Sequence, residues 1–160
     1  MNTCHPGAAV VCDDSNLCTN DSCNSGTGCV LAPNTNACDD GNACTTGDVC
    51  GGGSCSGTPV PPPGELQNAA FTDKTTFVWD TQPNSPHYDV VRGLLSALPV
   101  GPGGGDEFCF DDLLTSVLVD GTTPLINTGF WYVTRATSAC GIGTFGTQHD
   151  GTPRATTTCP

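Results

Sequence analysis

The chain has 160 residues, enough for one ordinary domain or two small ones. Sixteen acidic residues outnumber four basic ones, and the formal net charge is −12. A chain this acidic cannot neutralise phosphates, which excludes nucleic-acid binding and attraction to an anionic membrane surface. No apolar run approaches the roughly 20 residues of a membrane span, so we expect no membrane insertion.

Twelve cysteines are the strongest feature of the composition. An even number of cysteines in a chain with 21 glycines and 13 prolines is typical of a disulfide framework. A zinc site would need close pairs such as CxxC, which the sequence lacks. Because disulfides persist in oxidising compartments, we expect an extracellular or cell-surface protein. The N-terminal residues do not resemble a signal peptide, so we expect either that processing has removed a signal or that the chain is an excerpt of a longer one.

The first third of the chain contains an internal repeat of about 26 residues. The run CDDSNLCTNDSC aligns with CDDGNACTTGDVC, and each unit closes with a Gly-rich turn and a fourth cysteine. The units span about 12–29 and 38–55, within a cysteine-rich arm over 1–57. Cys4 takes the place of the last cysteine of an earlier, truncated unit. Residues 1–60 contain no aromatic residue, so disulfides are expected to hold the arm together.

The pairing of the repeat cysteines is not determined by their spacing, because four cysteines allow three connectivities. We predict that the first cysteine of each unit bonds the third and the second bonds the fourth. This prediction involves Cys12, Cys18, Cys23 and Cys29 in one unit and Cys38, Cys44, Cys50 and Cys55 in the other.

Each repeat carries a small acidic cluster with no Lys or Arg nearby. The sequence favours Asx and ST turns that shape a disulfide loop. Calcium is the alternative, because the alternation of carboxylate and amide side chains resembles the spacing of oxygen-rich calcium loops, although no glutamate closes either loop. The candidate metal residues are Asp13, Asp14, Asn16, Asp21, Asp39, Asp40, Asn42 and Asp48.

A Pro-rich linker at 58–64 separates the arm from a second region that has a different composition. All six Phe, both Trp and both Tyr follow it, and segments with period-2 alternation begin there. The segments AFTDKTTFVWD, HYDVVRG, SVLVDG and FWYVTRATSA are separated by Gly- and Pro-rich turns. Short strands at this spacing predict an all-β sandwich over 65–160.

The second region resembles a fibronectin type III domain. The family has a buried tryptophan on its second strand, an aromatic residue opening the third, and an aromatic-x-aromatic-x-x-x-Ala run on the sixth. The matching residues are Trp79, Tyr88, Phe130, Tyr132 and Ala136. The acidic cysteine-rich repeats followed by such a domain also resemble the C-terminal parts of large secreted or surface proteins of environmental bacteria. This resemblance implies a location and a class of role rather than an activity.

Trp131 is the candidate binding residue of the second region. If Phe130 and Tyr132 point inward, strand alternation turns Trp131 outward, where its ring could stack on a sugar or anchor a protein contact. Arg135 would share that outer face. The alternative is that another strand, the arm or a loop covers Trp131.

Three cysteines follow the linker and cannot all pair among themselves. We predict a bridge between Cys140 and Cys159. Cys4 and Cys109 then remain, either bonded to each other or linked to a neighbouring molecule or to upstream sequence.

No catalytic constellation stands out, so we expect a protein that is not an enzyme. Asp106 and Glu107, like Asp111 and Asp112, are sequence neighbours, which face opposite ways in an extended chain. We therefore predict a structural and interaction module that associates with copies of itself or with other surface proteins. Two other functions remain open: a carbohydrate-binding or adhesive module using Trp131, Asp106 and Glu107, and an accessory domain of a secreted hydrolase.

Overall fold

The computed structural model describes residues 11–100, 105–156, 158 and 159. Its described residues form an all-β protein with several small sheets and multiple disulfides, which confirms the predicted fold class. The chain divides into two compact units, Met1–Val60 and Pro61–Pro160.

The described residues form eleven strands. In the first unit they are β1 (Thr19–Asn24), β2 (Gly28–Pro33), β3 (Thr45–Gly51) and β4 (Ser54–Pro59). In the second unit they are β5 (Ala70–Phe71), β6 (Thr76–Val78), β7 (His87–Leu94), β8 (Phe108–Leu113), β9 (Val117–Val119), β10 (Phe130–Ser138) and β11 (Gly141–Ile142). A single 3-10 turn at Leu95–Ala97 follows β7.

The first unit consists of two antiparallel hairpins, one for each sequence repeat. In the β1–β2 hairpin Cys23 lies opposite Cys29, and in the β3–β4 hairpin Cys50 lies opposite Cys55. The turn between β3 and β4 contains Gly52 and Gly53 at positive φ, a conformation that favours glycine. The two hairpins therefore share one plan, although the second has a register irregularity between Thr46 and Val49.

The disulfides of the first unit differ from the predicted pairing. The first cysteine of each unit bonds the fourth, giving Cys12–Cys29 and Cys38–Cys55. The second cysteine of the first repeat, Cys18, bonds Cys50, the third cysteine of the second repeat. Our first-to-third and second-to-fourth prediction was wrong because it treated each repeat as a closed unit. Bridging between repeats ties consecutive hairpins together and cannot be inferred from spacing.

Sulfur takes the place of a hydrophobic core in the first unit. Between residues 11 and 60 the structure buries Cys18, Gly28 and Cys50 and leaves every other side chain at least partly exposed. The sulfur of Cys38 lies beside the Cys18–Cys50 bridge, within 4.8 Å of both sulfurs. Two adjacent disulfides therefore form the centre of this unit.

The second unit packs two antiparallel sheets face to face. One sheet has the order β5-β6-β9 and the other the order β11-β10-β7-β8. Their facing sides share one hydrophobic cluster, formed by Leu66, Phe77, Trp79, Tyr88, Val90, Leu118 and Ala136. The arrangement is that of a β-sandwich, in which alternate residues of each strand face the interior.

A second, smaller cluster covers the outer face of the four-stranded sheet. It contains Val91 and Trp131 from the sheet together with Val100, Phe145 and Cys159 from irregular segments. These segments lie over the sheet because it presents apolar side chains on both faces. In the described residues, the four-stranded sheet is thus covered by apolar residues on both sides.

The disulfide of the second unit also corrects a prediction. Cys159 bonds Cys109 of β8, not Cys140. Every cysteine of the described residues, Cys140 included, is disulfide-bonded. Cys109 is therefore not left over for an intermolecular bond, and Cys4 lies outside the described residues.

In the part of the chain that the structure describes, no helix has the length and apolar character needed to cross a membrane. The disulfides fit an oxidising environment.

Candidate functional site

The two acidic loops of the first unit have closely matching geometry. In each loop the carboxylate oxygens of three aspartates lie within 4.8 Å of one another: Asp13, Asp14 and Asp21 in the first, and Asp39, Asp40 and Asp48 in the second. The structure therefore brings together six of the eight residues that the sequence singled out for calcium. The other two, Asn16 and Asn42, lie in the same loops.

Most of these side chains bind the backbone of their own loop. The carboxylate of Asp40 accepts the N–H of Asn42 at 2.9 Å and the hydroxyl of Thr45 at 2.9 Å. The amide oxygen of Asn42 accepts the N–H of Cys44 at 3.0 Å, and Asp48 accepts the N–H of Asp40 at 3.2 Å. The first repeat makes the equivalent bonds. These are Asx turns, the arrangement that the sequence favoured over calcium.

The pKa of Asp40 shows what the turn does to the carboxyl group. The backbone N–H of Asn42 and the hydroxyl of Thr45 hold this pKa below its usual value, because both hydrogen bonds favour the charged form. The loop is therefore built to keep Asp40 ionised.

The loops offer carboxylate oxygens, which are the ligands that a hard divalent cation such as calcium prefers. Oδ1 of Asp21 and Oδ1 of Asp48 are buried and accept no hydrogen bond from any described residue. Calcium takes six to eight oxygens, however, and each loop contributes three carboxylates that are already largely engaged by N–H groups. The turns account for the loop conformation, and calcium binding stays a prediction.

Trp131 is not an exposed binding residue. Strand alternation does place Trp131 on the outer face of the sheet, since its neighbour Tyr132 packs against the inner cluster. However, only 8% of Trp131 is exposed. Val100, Phe145 and Cys159 pack in the same outer cluster. The hypothesis that Trp131 presents its ring to a ligand on the surface is wrong, and the alternative that other parts of the chain cover it is confirmed, because irregular segments lie over the outer face of its sheet.

Arg135 is likewise buried and acts within the fold. Its Nε donates to Asp89 at 2.8 Å, and another guanidinium nitrogen donates to the carbonyl of Cys159 at 3.3 Å. Its guanidinium also lies 4.8 Å from the centre of the Phe145 ring. A buried cation needs a partner to offset its lost hydration, and Asp89 supplies it. Arg135 therefore fixes the outer covering instead of binding a ligand.

A second ion pair, between half-buried Arg92 and buried Asp120, joins the two sheets. Arg92 donates to Asp120 at 2.7 Å, and the hydroxyl of Tyr132 donates to the same carboxylate at 2.8 Å. Burial, together with the bond to Asp120, raises the pKa of Tyr132 to about 12. The guanidinium of Arg92 lies 4.5 Å from the centre of the Phe130 ring. Sequence reasoning missed this network. Its signal was a charged residue within an apolar strand, as in HYDVVRG.

Three of the four carboxylates considered for catalysis have structural partners. Asp106 accepts the N–H of Leu94 at 2.9 Å, and Glu107 accepts the hydroxyls of Thr156 and Thr158. Asp112 lies 2.5 Å from Nδ1 of His87.

A cleft in the second unit lies beside β10. Its volume is about 320 Å³, near the lower end of the range for small-ligand pockets. Most of the residues that line it are apolar, and the two charged ones are Glu65 and Arg154. The main lining residues apart from β10 are Glu65, Leu66, Ala69, Leu98, Val100, Phe145 and Arg154. We refer to this feature as the β10 cleft.

Comparison with known proteins matches one short part of the chain. Residues 11–34 match a family model described as the Dictyostelium (slime mold) repeat. This match covers the first hairpin and supports the prediction of cysteine-rich repeats. No curated protein and no solved structure matches the chain.

Proposed function

We propose that this protein is a non-catalytic extracellular structural module, in which a disulfide-stapled repeat arm accompanies a β-sandwich. We propose further that it associates with copies of itself in a surface fibre or layer. The likeness of the second unit to fibronectin type III domains, and the likeness of the whole to bacterial surface proteins, belong to this proposal.

The disulfide pattern of the arm carries the proposal. Each hairpin has a bridge of its own, and Cys18–Cys50 then joins one hairpin to the next. Such a pattern makes a covalently reinforced chain of repeats that needs no hydrophobic core. Each bridge typically stabilises a fold by about 2–4 kcal/mol, and it persists only in an oxidising environment. A module of this kind suits a mechanical or spacing role outside the cell.

The acidic surface is compatible with this role. A net charge of −12 keeps an extracellular protein soluble and weakens non-specific association. Self-association would then depend on ionic strength, because salt screens repulsion between exposed charges beyond about 10 Å at 0.1 M.

Sedimentation velocity over a wide concentration range tests self-association. We expect larger species to appear as protein concentration and salt rise, in samples with and without calcium. A monomer under all these conditions would contradict the self-association part of the proposal. Electrophoresis without reductant, compared with a reduced sample, shows whether any larger species is covalent.

The carbohydrate-binding alternative has lost part of its support, while the accessory domain of a secreted hydrolase stays a hypothesis. The carbohydrate-binding hypothesis relied on an exposed Trp131, and that side chain is buried. A glycan array probed with the full chain tests the hypothesis directly, and strong binding to one glycan class would favour it over the structural role.

A further inference from the structure

Strand β10 pairs with a neighbouring strand along almost the whole length of one edge, but along the other edge only near its C-terminal end. Partner β7 pairs with it from Phe130 to Thr137. Partner β11 pairs only with Thr137 and Ser138, and one further bond runs from the N–H of Gly143 to the carbonyl of Ala136.

The bond to Ala136 shows which main-chain groups face the uncovered side. In an antiparallel strand, alternate residues direct their N–H and C=O groups toward the same neighbour. Since the carbonyl of Ala136 points away from β7, the main-chain groups of Thr134 and Tyr132 point the same way. Among the described residues, none forms a hydrogen bond with these outward groups.

The chain itself leaves this edge open. After Gly143 it turns away from β10, and the N–H of Gly146 donates to the hydroxyl of Thr144 at 3.0 Å. Gly146 has a φ of +79°, which favours glycine and ends the extended conformation. Phe145 then packs into the outer cluster instead of continuing β11.

The uncovered edge borders the β10 cleft. Four consecutive residues of the strand, 131–134, line it, while Leu66 and Ala69 lie among its other lining residues, as do Leu98 and Val100. A space of about 320 Å³ suits a single extended segment and is too small for the edge of a whole second sheet. Tyr132 is half-buried, and Thr134 is only 7% exposed. The cleft therefore combines main-chain groups that have no partner among the described residues with a wall of both apolar and polar side chains.

We propose that the β10 cleft binds an extended peptide segment of a partner polypeptide, which adds to the sheet as a strand beside β10. Its main chain would pair with the outward N–H and C=O groups of Tyr132 and Thr134, and this pairing is the usual source of affinity in strand addition. Small uncharged side chains would fit the apolar walls. An acidic peptide would be disfavoured by the net charge of −12. Glu65 and Arg154 offset each other within the cleft.

This binding activity goes beyond the proposed structural role and does not depend on self-association. A monomer in sedimentation would contradict self-association and leave strand addition standing. Likewise, failure to bind a peptide would contradict strand addition and leave self-association standing.

Amide hydrogen exchange measured by NMR on the full chain tests the proposal. In the free protein we expect the amide of half-buried Tyr132 to exchange much faster than those of Val133 and Arg135, which face β7, and the amide of Thr134, only 7% exposed, to exchange at an intermediate rate. The probe is a short capped peptide of alternating threonine and valine. At about ten times its dissociation constant it should slow exchange at Tyr132 and Thr134 by about tenfold. The same peptide with alternate amides N-methylated should have no effect, because it cannot pair with a strand edge.

A matched pair of variants locates the binding. Leu98 and Leu95 lie three residues apart in the chain and are exposed to almost the same extent, 51% and 50%, but of the two only Leu98 lines the cleft. Leu98→Asp should weaken peptide binding at least about tenfold, equal to roughly 1.4 kcal/mol, while Leu95→Asp should leave it unchanged.

Three results would overturn the proposal. The first is slow exchange at Tyr132 and Thr134 in the free protein at low concentration. The second is equal binding of the N-methylated peptide, or no change in exchange at millimolar peptide. The third is protection that grows with protein concentration in the absence of peptide, since the occupant would then be a second copy of this chain.

Discussion

The two units of this protein are stabilised by different means. The first has two hairpins, and between residues 11 and 60 its buried side chains are those of Cys18 and Cys50. The second has a cluster of aromatic and aliphatic residues between two sheets, and two ion pairs join its strands. Both are all-β, but in the first unit covalent bonds replace the apolar surface that the second unit buries.

This difference shows how composition determines what makes a fold stable. Burying apolar surface contributes about 25 cal/mol per Å², and a segment without aromatic residues has little such surface to bury. A disulfide instead acts mainly by restricting the unfolded chain. The first unit should therefore respond to reductant and the second to loss of core side chains.

Reduction is expected to have the largest effect. Full reduction and alkylation should unfold the first unit, because its bridges each contribute about 2–4 kcal/mol and no apolar core remains. The second unit should keep its aromatic core. Both tryptophans, Trp79 and Trp131, lie in the second unit, so their fluorescence reports on that unit alone. We expect native-like emission from them while the amides of β1–β4 lose protection from exchange.

Two double variants serve as controls for this experiment. Replacing Cys12 and Cys29 by alanine should expose the amides of the first hairpin. Replacing Cys109 and Cys159 by alanine should lower the stability of the second unit by about 2–4 kcal/mol but leave it folded. Simultaneous unfolding of both units on reduction would contradict the comparison.

Loss of a core ring is expected to act on the second unit alone. The ring of Phe77 packs against Phe71, Trp79 and Tyr132, with ring centres 5.1 to 5.6 Å apart. Phe77→Ala should lower the free energy of unfolding of this unit by about 3–5 kcal/mol. Phe71→Ala is the matched control, because that ring is 44% exposed and should cost less. Chemical denaturation followed by tryptophan fluorescence measures both, and a change at β1–β4 amides would contradict the prediction.

The strands of the second unit could be predicted from sequence because their signal is local. Alternating segments such as HYDVVRG and FWYVTRATS became β7 and β10, and SVLVDG contains β9. Strand β8 was missed. It carries Asp111 and Asp112, and Asp112 has a φ of 56° at a register irregularity, so the strand lacks the regular alternation that marks its neighbours.

Contacts between distant residues could not be predicted. The orientation of Trp131 followed from alternation, but its burial depends on Phe145 and Cys159, which lie far along the chain and carry no local signal for this contact. The bridges Cys18–Cys50 and Cys109–Cys159 have separations of 32 and 50 residues. The acidic loops were predicted more fully, because Asx turns form between residues two apart.

Alkaline pH is expected to weaken the second unit through Tyr132. Its pKa is raised to about 12 by burial and by the bond to Asp120, against an ordinary value of 10.0. The stability that depends on the neutral phenol is fully present below pH 10 and is lost as the pH rises toward 12. Tyr132→Phe cannot ionise, so its loss of stability between pH 10 and 12 should be smaller than in the unsubstituted protein. Urea unfolding at several pH values measures this, and parallel pH profiles would contradict it.

The smallest effect is expected in the acidic loops, where it separates turn formation from calcium binding. Asp40→Asn keeps an oxygen that can accept the N–H of Asn42 but removes the negative charge. If the loop is held by its Asx turn, the free energy of unfolding of the first unit should change by no more than about 0.5 kcal/mol, with or without calcium. Asp14→Asn makes the same change in the first repeat and should behave alike. Calorimetric titration with calcium chloride and amide exchange at Asn42 measure the two properties. If calcium instead stabilised the unsubstituted arm and Asp40→Asn abolished that gain, the loops would be cation sites, because the two side chains differ chiefly in charge and proton count.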